Sequence, residues 1–184
     1  MDEDMKMILL FGGMFLVYAV YRQVHTAEFH EAGKEMSVFI GAANTIILLT
    51  SSLTMALAIS EIEKGRKVRS VLLQAATVLL GAGFLANKYF EWSDHIRHHI
   101  YPGSPVLAER GYGDVLFFGL YFFMTGLHAL HVIIGIIVIA VIMTFIYAGR
   151  ITPVRNSVLE NGALYWHLVD MVRIFLFPLF YLIT

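Results

Sequence analysis

A chain of 184 residues that is 58% hydrophobic, 14% aromatic and only 15% charged lies well to the apolar side of a soluble domain, in which about a quarter of the residues are charged. Its mean hydropathy of +0.71, net charge of −1 and pI near 6.7 exclude a soluble enzyme, a disordered chain and a nucleic-acid binder, which would need a basic field. With no cysteine, the chain also lacks disulfides, thiolate zinc sites, iron–sulfur clusters and thioether haem attachment.

Five apolar stretches, 7–21, 36–60, 68–90, 115–147 and 163–184, take up nearly two thirds of the chain. A hydrocarbon core about 30 Å thick needs roughly 20 apolar residues in a helix. The pattern therefore predicts an all-α polytopic membrane protein. Its bundle of five transmembrane helices covers about 7–24, 36–60, 68–91, 115–147 and 162–184, as a single transmembrane domain over 1–184. The start, MDEDMKM, is acidic and no small-residue cleavage site follows the first apolar run, so that run reads as a retained span and Met1–Lys6 as the true start.

Span one is short and flanked by Lys6 and Arg22. Span two carries Asn44, Thr45, Thr50, Ser51, Ser52 and Thr54, a density of small hydroxylated residues that suits close helix packing in lipid. The connection EIEKGRKVR, 61–69, is the most basic one. Span three has Gly81, Ala82 and Gly83 midway and reaches Lys88 and Glu91, whose i, i+3 spacing predicts an interfacial salt bridge. The loop 92–113 is broken by Pro102, Gly103, Pro105, Gly111 and Gly113. It holds Asp94, His95, His98 and His99, read as solvated histidines or an adventitious metal site. Span four has neither proline nor charge over about 50 Å of helix, which predicts one tilted, protruding helix and not a hairpin. Span five follows the Pro153–Asn156 turn. Tyr89, Trp92, Tyr101, Tyr165 and Trp166 fall near the expected membrane interfaces, where amphipathic rings belong.

Lysine and arginine counts set the orientation. One face holds Lys6, Lys64, Arg66, Lys67, Arg69, Arg150 and Arg155; the other holds Arg22, Lys34, Lys88, Arg97 and Arg110. The positive-inside rule then places the N-terminus in the cytoplasm and, after five crossings, the C-terminus on the opposite side.

Ionisable groups at membrane depth are costly and are functional candidates by default. His128 and His131 share a face of span four, continued by Gly135; Glu160, His167 and Asp170 form a stripe on span five, with Arg173 three residues beyond Asp170. Spans four and five, antiparallel, are expected to join these stripes in a polar seam in which Asp170 pairs with Arg173 and accepts from His167 or His131. Two imidazoles and a carboxylate can bind iron, zinc or copper. The residues alone leave three readings of the seam: hydrogen-bonded packing, a metal or haem site, and a proton relay or lipid contact.

Residues 121–135, YFFMTGLHALHVIIG, resemble the sixth helix of subunit III of the haem–copper cytochrome c oxidases. Residues 160–170, ENGALYWHLVD, resemble the start of its last helix, with Glu160, Tyr165, Trp166, His167 and Asp170 all matching. ANTIILLTSSLTMALA (43–58), KYFEWSDHI (88–96) and, more loosely, FGGMFLVYAVYR (11–22) fit its earlier helices. Two positions depart from the family pattern: Met7 stands where a buried glutamate is usual, and Arg173 where a tryptophan is usual. The family's seven-helix members carry two further N-terminal helices that complete a lipid-filled cleft, and similar five-helix forms occur in bacteria.

The resemblance implies an accessory subunit of a respiratory oxidase that reduces dioxygen to water and translocates protons. Haems and copper would belong to other chains, leaving this one with no catalytic, cofactor-binding or metal residue of its own. It implies subunit I as the main contact, subunit II in the complex, phospholipid as a ligand, no nucleic acid, and a bacterial plasma membrane. Quinol oxidase and nitric oxide reductase complexes use related subunits. An independent transporter or proton channel is a different class, disfavoured because span four is unbroken and no internal repeat is visible. A haem protein with His128 or His131 as axial ligand is a third.

Overall fold

The computed structural model describes residues 3–26, 30, 38–151 and 156–181, apart from the side chains of residues 3, 4, 6–8, 108, 110 and 181. Several sequence expectations lie outside the described residues: Lys34 and the first two residues of span two, the Pro153–Asn156 turn with Arg155 (Asn156 itself is described), the last three residues of span five, and the side chains of Lys6, Met7 and Arg110.

The described residues form six α-helices and no strand: α1 (Glu3–Val24), α2 (Val38–Glu63), α3 (Lys67–Arg97), α4 (Pro105–Arg110), α5 (Tyr112–Tyr147) and α6 (Ser157–Tyr181). Four of these, α2, α3, α5 and α6, are long and apolar enough to cross a membrane, and α1 adds a shorter apolar run, Leu9–Val24. This is the all-α membrane bundle that the hydropathy pattern predicts. Span four is one continuous helix of 36 residues, not a hairpin.

Two boundaries correct the sequence reading. Helix α3 runs to Arg97, so Asp94 and His95 are helical rather than in a loop, and α4 follows, started by Pro105 at its first turn. Helix α6 starts at Ser157, so Glu160 lies in its first turn, where an acid answers the helix dipole.

Three helix ends close the same way. At α2, Gly65 N–H donates to the Ile62 carbonyl and Arg66 N–H to that of Glu61; at α5, Gly149 and Arg150 repeat this with Ile146 and Phe145. This double closure needs a left-handed residue, and Gly65 (φ 75°) and Gly149 (φ 70°) take it without a Cβ clash. At α3 the left-handed position is His99 (φ 58°), with His99 and Ile100 donating to Ile96 and His95.

The chain divides into two compact units. The first, Met1–Ala42, Asn87–His128 and Val172–Thr184, has an aromatic core. Phe180 packs edge-on against Tyr18, Phe117 and Tyr121 at 5.1, 5.6 and 5.5 Å between ring centres. The Tyr18 hydroxyl donates to the Leu179 carbonyl at 2.5 Å, capping a peptide group in the last turn of α6. The second unit, Ala43–Ala86 and Ala129–Met171, buries Leu48, Met55, Ile139, Ile142 and Trp166. In both units the outward faces are as apolar as the cores: Leu16, Leu79, Phe123 and Leu164 are all well exposed, as befits helices solvated by lipid.

Candidate functional site

In the first unit, Lys88 and Glu91 stand one turn apart on α3 and are ion-paired at 3.1 Å, as their spacing predicts. Both are buried, and α5 adds what the spacing could not show. Tyr121 accepts from Lys88 Nζ at 2.9 Å and donates to Glu91 Oε1 at 2.5 Å, closing a three-membered ring of hydrogen bonds. The ammonium also sits 4.6 Å from the centre of the Tyr121 ring, a cation–π contact. One turn beyond Glu91, His95 lies edge-on to Phe118, Tyr121 and Phe122. It is buried, whereas His98 and Asp94 face outward 3.7 Å apart, so the loop histidines expected as one group are divided. Arg173, almost wholly buried on α6, donates through Nη2 to the Gly41 carbonyl at 3.3 Å.

In the second unit the polar contacts are hydroxyls and rings. The Trp166 indole N–H donates to Ser51 Oγ at 3.0 Å, and Ser51 in turn donates to the Leu48 carbonyl. His167 Nδ1 is hydrogen-bonded to Ser52 Oγ. Thr54 and Thr77 hydroxyls meet at 2.7 Å, and Ser70, itself accepting from Gln74, donates to the Ala58 carbonyl. Helices α2 and α3 are thus tied along their length by small polar side chains, the use that the composition of span two implies.

Trp166 is fully buried, not interfacial. Two glycines make room for it: a Cβ on Gly135 would lie 2.7 Å from the indole, and one on Gly81 2.9 Å. A matching cradle for Trp92 in the first unit is Gly126, where a Cβ would come within 3.2 Å.

The seam expected between spans four and five is redistributed. His167 is hydrogen-bonded to Ser52 of α2, and the Trp166 indole N–H is directed to Ser51 of the same helix. Toward α5 the contact is Tyr165, whose hydroxyl reaches the His131 carbonyl at 3.4 Å. His128 is buried in the first unit, while His131 and Glu160 are half-buried in the second. Asp170 is buried, and neither carboxyl oxygen meets hydrogen-bond geometry with a partner. The Asp170–Arg173 pair and the histidine bond to Asp170 are therefore not formed: the Arg173 guanidinium is directed at the α2 backbone. Among the described residues no group of three or more His, Cys, Asp or Glu is placed to hold a metal ion.

Tyr121 is the member of the ring that spacing missed. Its signal was a phenol inside an uncharged span, since a buried tyrosine hydroxyl needs a partner.

Known proteins resemble this chain over most of its length. The family described as cytochrome c oxidase subunit III matches residues 38–184. Cytochrome c oxidase subunit 3 of Thermostichus vulcanus is 30% identical over 179 residues, covering 96% of this chain and 81% of that protein. Cytochrome bo(3) ubiquinol oxidase subunit 3 of Pseudomonas aeruginosa is 32% identical over 177 residues, covering 95% and 78%. Quinol oxidase subunit 3 of Bacillus spizizenii is 31% identical over 175 residues, covering 95% and 80%.

Proposed function

Because the chain belongs to the cytochrome c oxidase subunit III family, we propose that it is the accessory, non-catalytic membrane subunit of a respiratory haem–copper oxidase. As a member of that family it is a component of a multi-subunit oxidoreductase complex. In the proposed role it packs on subunit I, with subunit II in the same complex, and steadies the proton-uptake side and lipid surroundings of the chain that reduces dioxygen.

The observation that carries the reading is where the buried polar groups go. Lys88, Glu91 and Tyr121 close on one another, and Trp166 and His167 bond to Ser51 and Ser52. These groups join helix to helix, which is what a scaffold requires. The seam residues His128, His131, Glu160, His167, Asp170 and Arg173 are accordingly assigned to packing and lipid contact, and Lys88 and Glu91 to the ring. Relatives named as cytochrome c and as quinol oxidase subunits match about equally well, and in the proposed role the electron-donor site lies on other chains. The bacterial relatives support placement in a bacterial plasma membrane, and the charge bias supports a cytoplasmic N-terminus and a periplasmic C-terminus.

The test is solubilisation in mild detergent and purification through this chain. Co-purification with a haem–copper subunit I, with the haem spectrum residing in that partner, is the expected outcome. A Soret band or stoichiometric iron or copper in the separated chain overturns the non-catalytic assignment. Reporter fusions at the two termini, active on opposite sides of the membrane, check the orientation.

A further inference from the structure

In the second unit the fold leaves a polar atom open at membrane depth. His167 stands near the midpoint of α6 (Ser157–Tyr181), and its partner Ser52 near the midpoint of α2 (Val38–Glu63). Two independent counts thus put the imidazole in the middle of the hydrocarbon layer. Leu164, one turn before it, and Met171, one turn after, are well exposed, and His167 itself is half-buried. The ring therefore lies at the edge of the outward stripe of α6, on the flank that meets α2. The outward stripe of α2 at the same depth is Leu49, Thr50 and Leu53, all exposed.

One ring nitrogen is already committed, since Nδ1 is hydrogen-bonded to Ser52 Oγ. That hydroxyl has no other hydrogen bond among the described residues, so its proton is satisfied by donation to Nδ1. The neutral imidazole then carries its own proton on Nε2. Nε2 has no partner among the described residues and, unlike the Asp170 carboxyl oxygens, is not enclosed. Lipid tails offer an N–H no acceptor, and ionisable side chains within membranes accordingly face protein or a water-filled cavity. The flanking stripes are apolar except for Thr50, whose hydroxyl donates back to the Ile46 carbonyl, which disfavours a water-filled cavity and leaves protein.

We propose that the α2–α6 face around His167 seats a membrane helix of subunit I, and that His167 Nε2 donates to a side-chain oxygen of that helix at mid-membrane. The inference rests on the accessory-subunit reading above and adds to it a docking face and a contact atom. The occupant is a helix, because at this depth a helix brings side chains through hydrocarbon with its own backbone satisfied. A second copy of this chain is less well matched. Its mid-depth carboxyl group, Asp170, is enclosed, and its exposed Thr50 hydroxyl is bonded to its own backbone.

The test is photo-crosslinking in the membrane-embedded complex, with benzoylphenylalanine at Leu53 or Leu164 and, as a control, at Leu79 of α3; all three positions are well exposed. Capture of a transmembrane segment of subunit I from positions 53 and 164, and not from 79, is the expected result. Hydrogen bonds between membrane helices are weak, so His167→Leu should lower co-purification with subunit I only about threefold. Leu164→Trp obstructs the partner helix and should lower it about tenfold, while Leu79→Trp leaves it unchanged. Detergent melts of the variant chains that match the parent separate loss of docking from loss of folding. Capture at 53 and 164 of a second copy of this chain, or of lipid alone, overturns the proposal and leaves the accessory role standing. Capture of subunit I from 79 in their place does the same. A complex with no haem–copper subunit I overturns both.

Discussion

The two units bury polarity by different means. The first places formal charges in an apolar surrounding: Lys88 and Glu91 are both nearly inaccessible, and their charges are held by mutual pairing and by Tyr121. The second relies on neutral donors and acceptors, the Ser51, Ser52, Thr54 and Thr77 hydroxyls and the Trp166 indole, and its one buried acid, Asp170, makes no hydrogen bond. A charged ring is brittle, because removing one member strands another charge. A ladder of hydroxyls is forgiving, because each link is weak and each loss is local. The difference teaches where the molecule will tolerate change.

Breaking the ring should have the largest effect. Glu91→Gln leaves the Lys88 ammonium buried without its counter-ion and is expected to cost about 3–5 kcal/mol, read as unfolding in mixed micelles of increasing denaturing detergent. Adding Lys88→Met removes the stranded charge and should restore at least about 2 kcal/mol of that. A double variant as unstable as the single one would mean that the pair is not coupled.

Steric change in the second unit comes next. Gly135→Ala drives a methyl into the Trp166 ring, and overpacking of this kind costs about 1–3 kcal/mol. Gly83→Ala is the control: nothing lies within 4 Å of its Cβ position, and the melting profile should stay within about 0.5 kcal/mol of the parent. If both alanines behave alike, the cradle is not rigid.

The hydroxyl contacts should yield less. Trp166→Phe keeps the ring volume roughly but loses the bond to Ser51, and hydrogen bonds of this sort inside membranes average about 0.6 kcal/mol. Ser51→Ala should cost a similar amount, and the two together little more than either alone. Full additivity would show that the bond contributes nothing.

Asp170→Asn is expected to have the smallest effect, below that of Trp166→Phe, since no ion pair is lost and the amide keeps the shape of the carboxyl group. A cost exceeding that of Trp166→Phe would show that the carboxylate finds its partner on another chain of the complex.

Composition and spacing made the helices legible, and the uncharged run 115–147 correctly read as one span. Local pairing was legible only when the deciding partners lay on the same helix. Lys88 and Glu91 have the same i, i+3 spacing as Asp170 and Arg173, yet only the first pair forms. Spacing fixes which side chains are neighbours along one helix. It carries no information on what a second helix offers, and here that offer differs: Tyr121 of α5 reinforces the first pair, while the Gly41 carbonyl of α2 takes the guanidinium of Arg173. For the same reason Trp166 read as an interfacial ring, because the glycines that seat it are far away in sequence. The end of α3 was misjudged because Trp92–Arg97 is polar enough to pass for a loop, although its buried edge, His95, packs on three rings of α5.

Helix α5 has a consequence for the membrane itself. Its terminal residues, Tyr112 and Tyr147, are both largely exposed and stand about 52 Å apart along a continuous helix. The headgroup layers of an ordinary bilayer are separated by only about 40–45 Å overall. Both rings reach those layers together only if the helix leans by roughly 30–40°, at the upper end of what membrane helices adopt. The lean of this helix is therefore tied to local thickness: a thicker bilayer would let it stand more upright, and a thinner one would press it over.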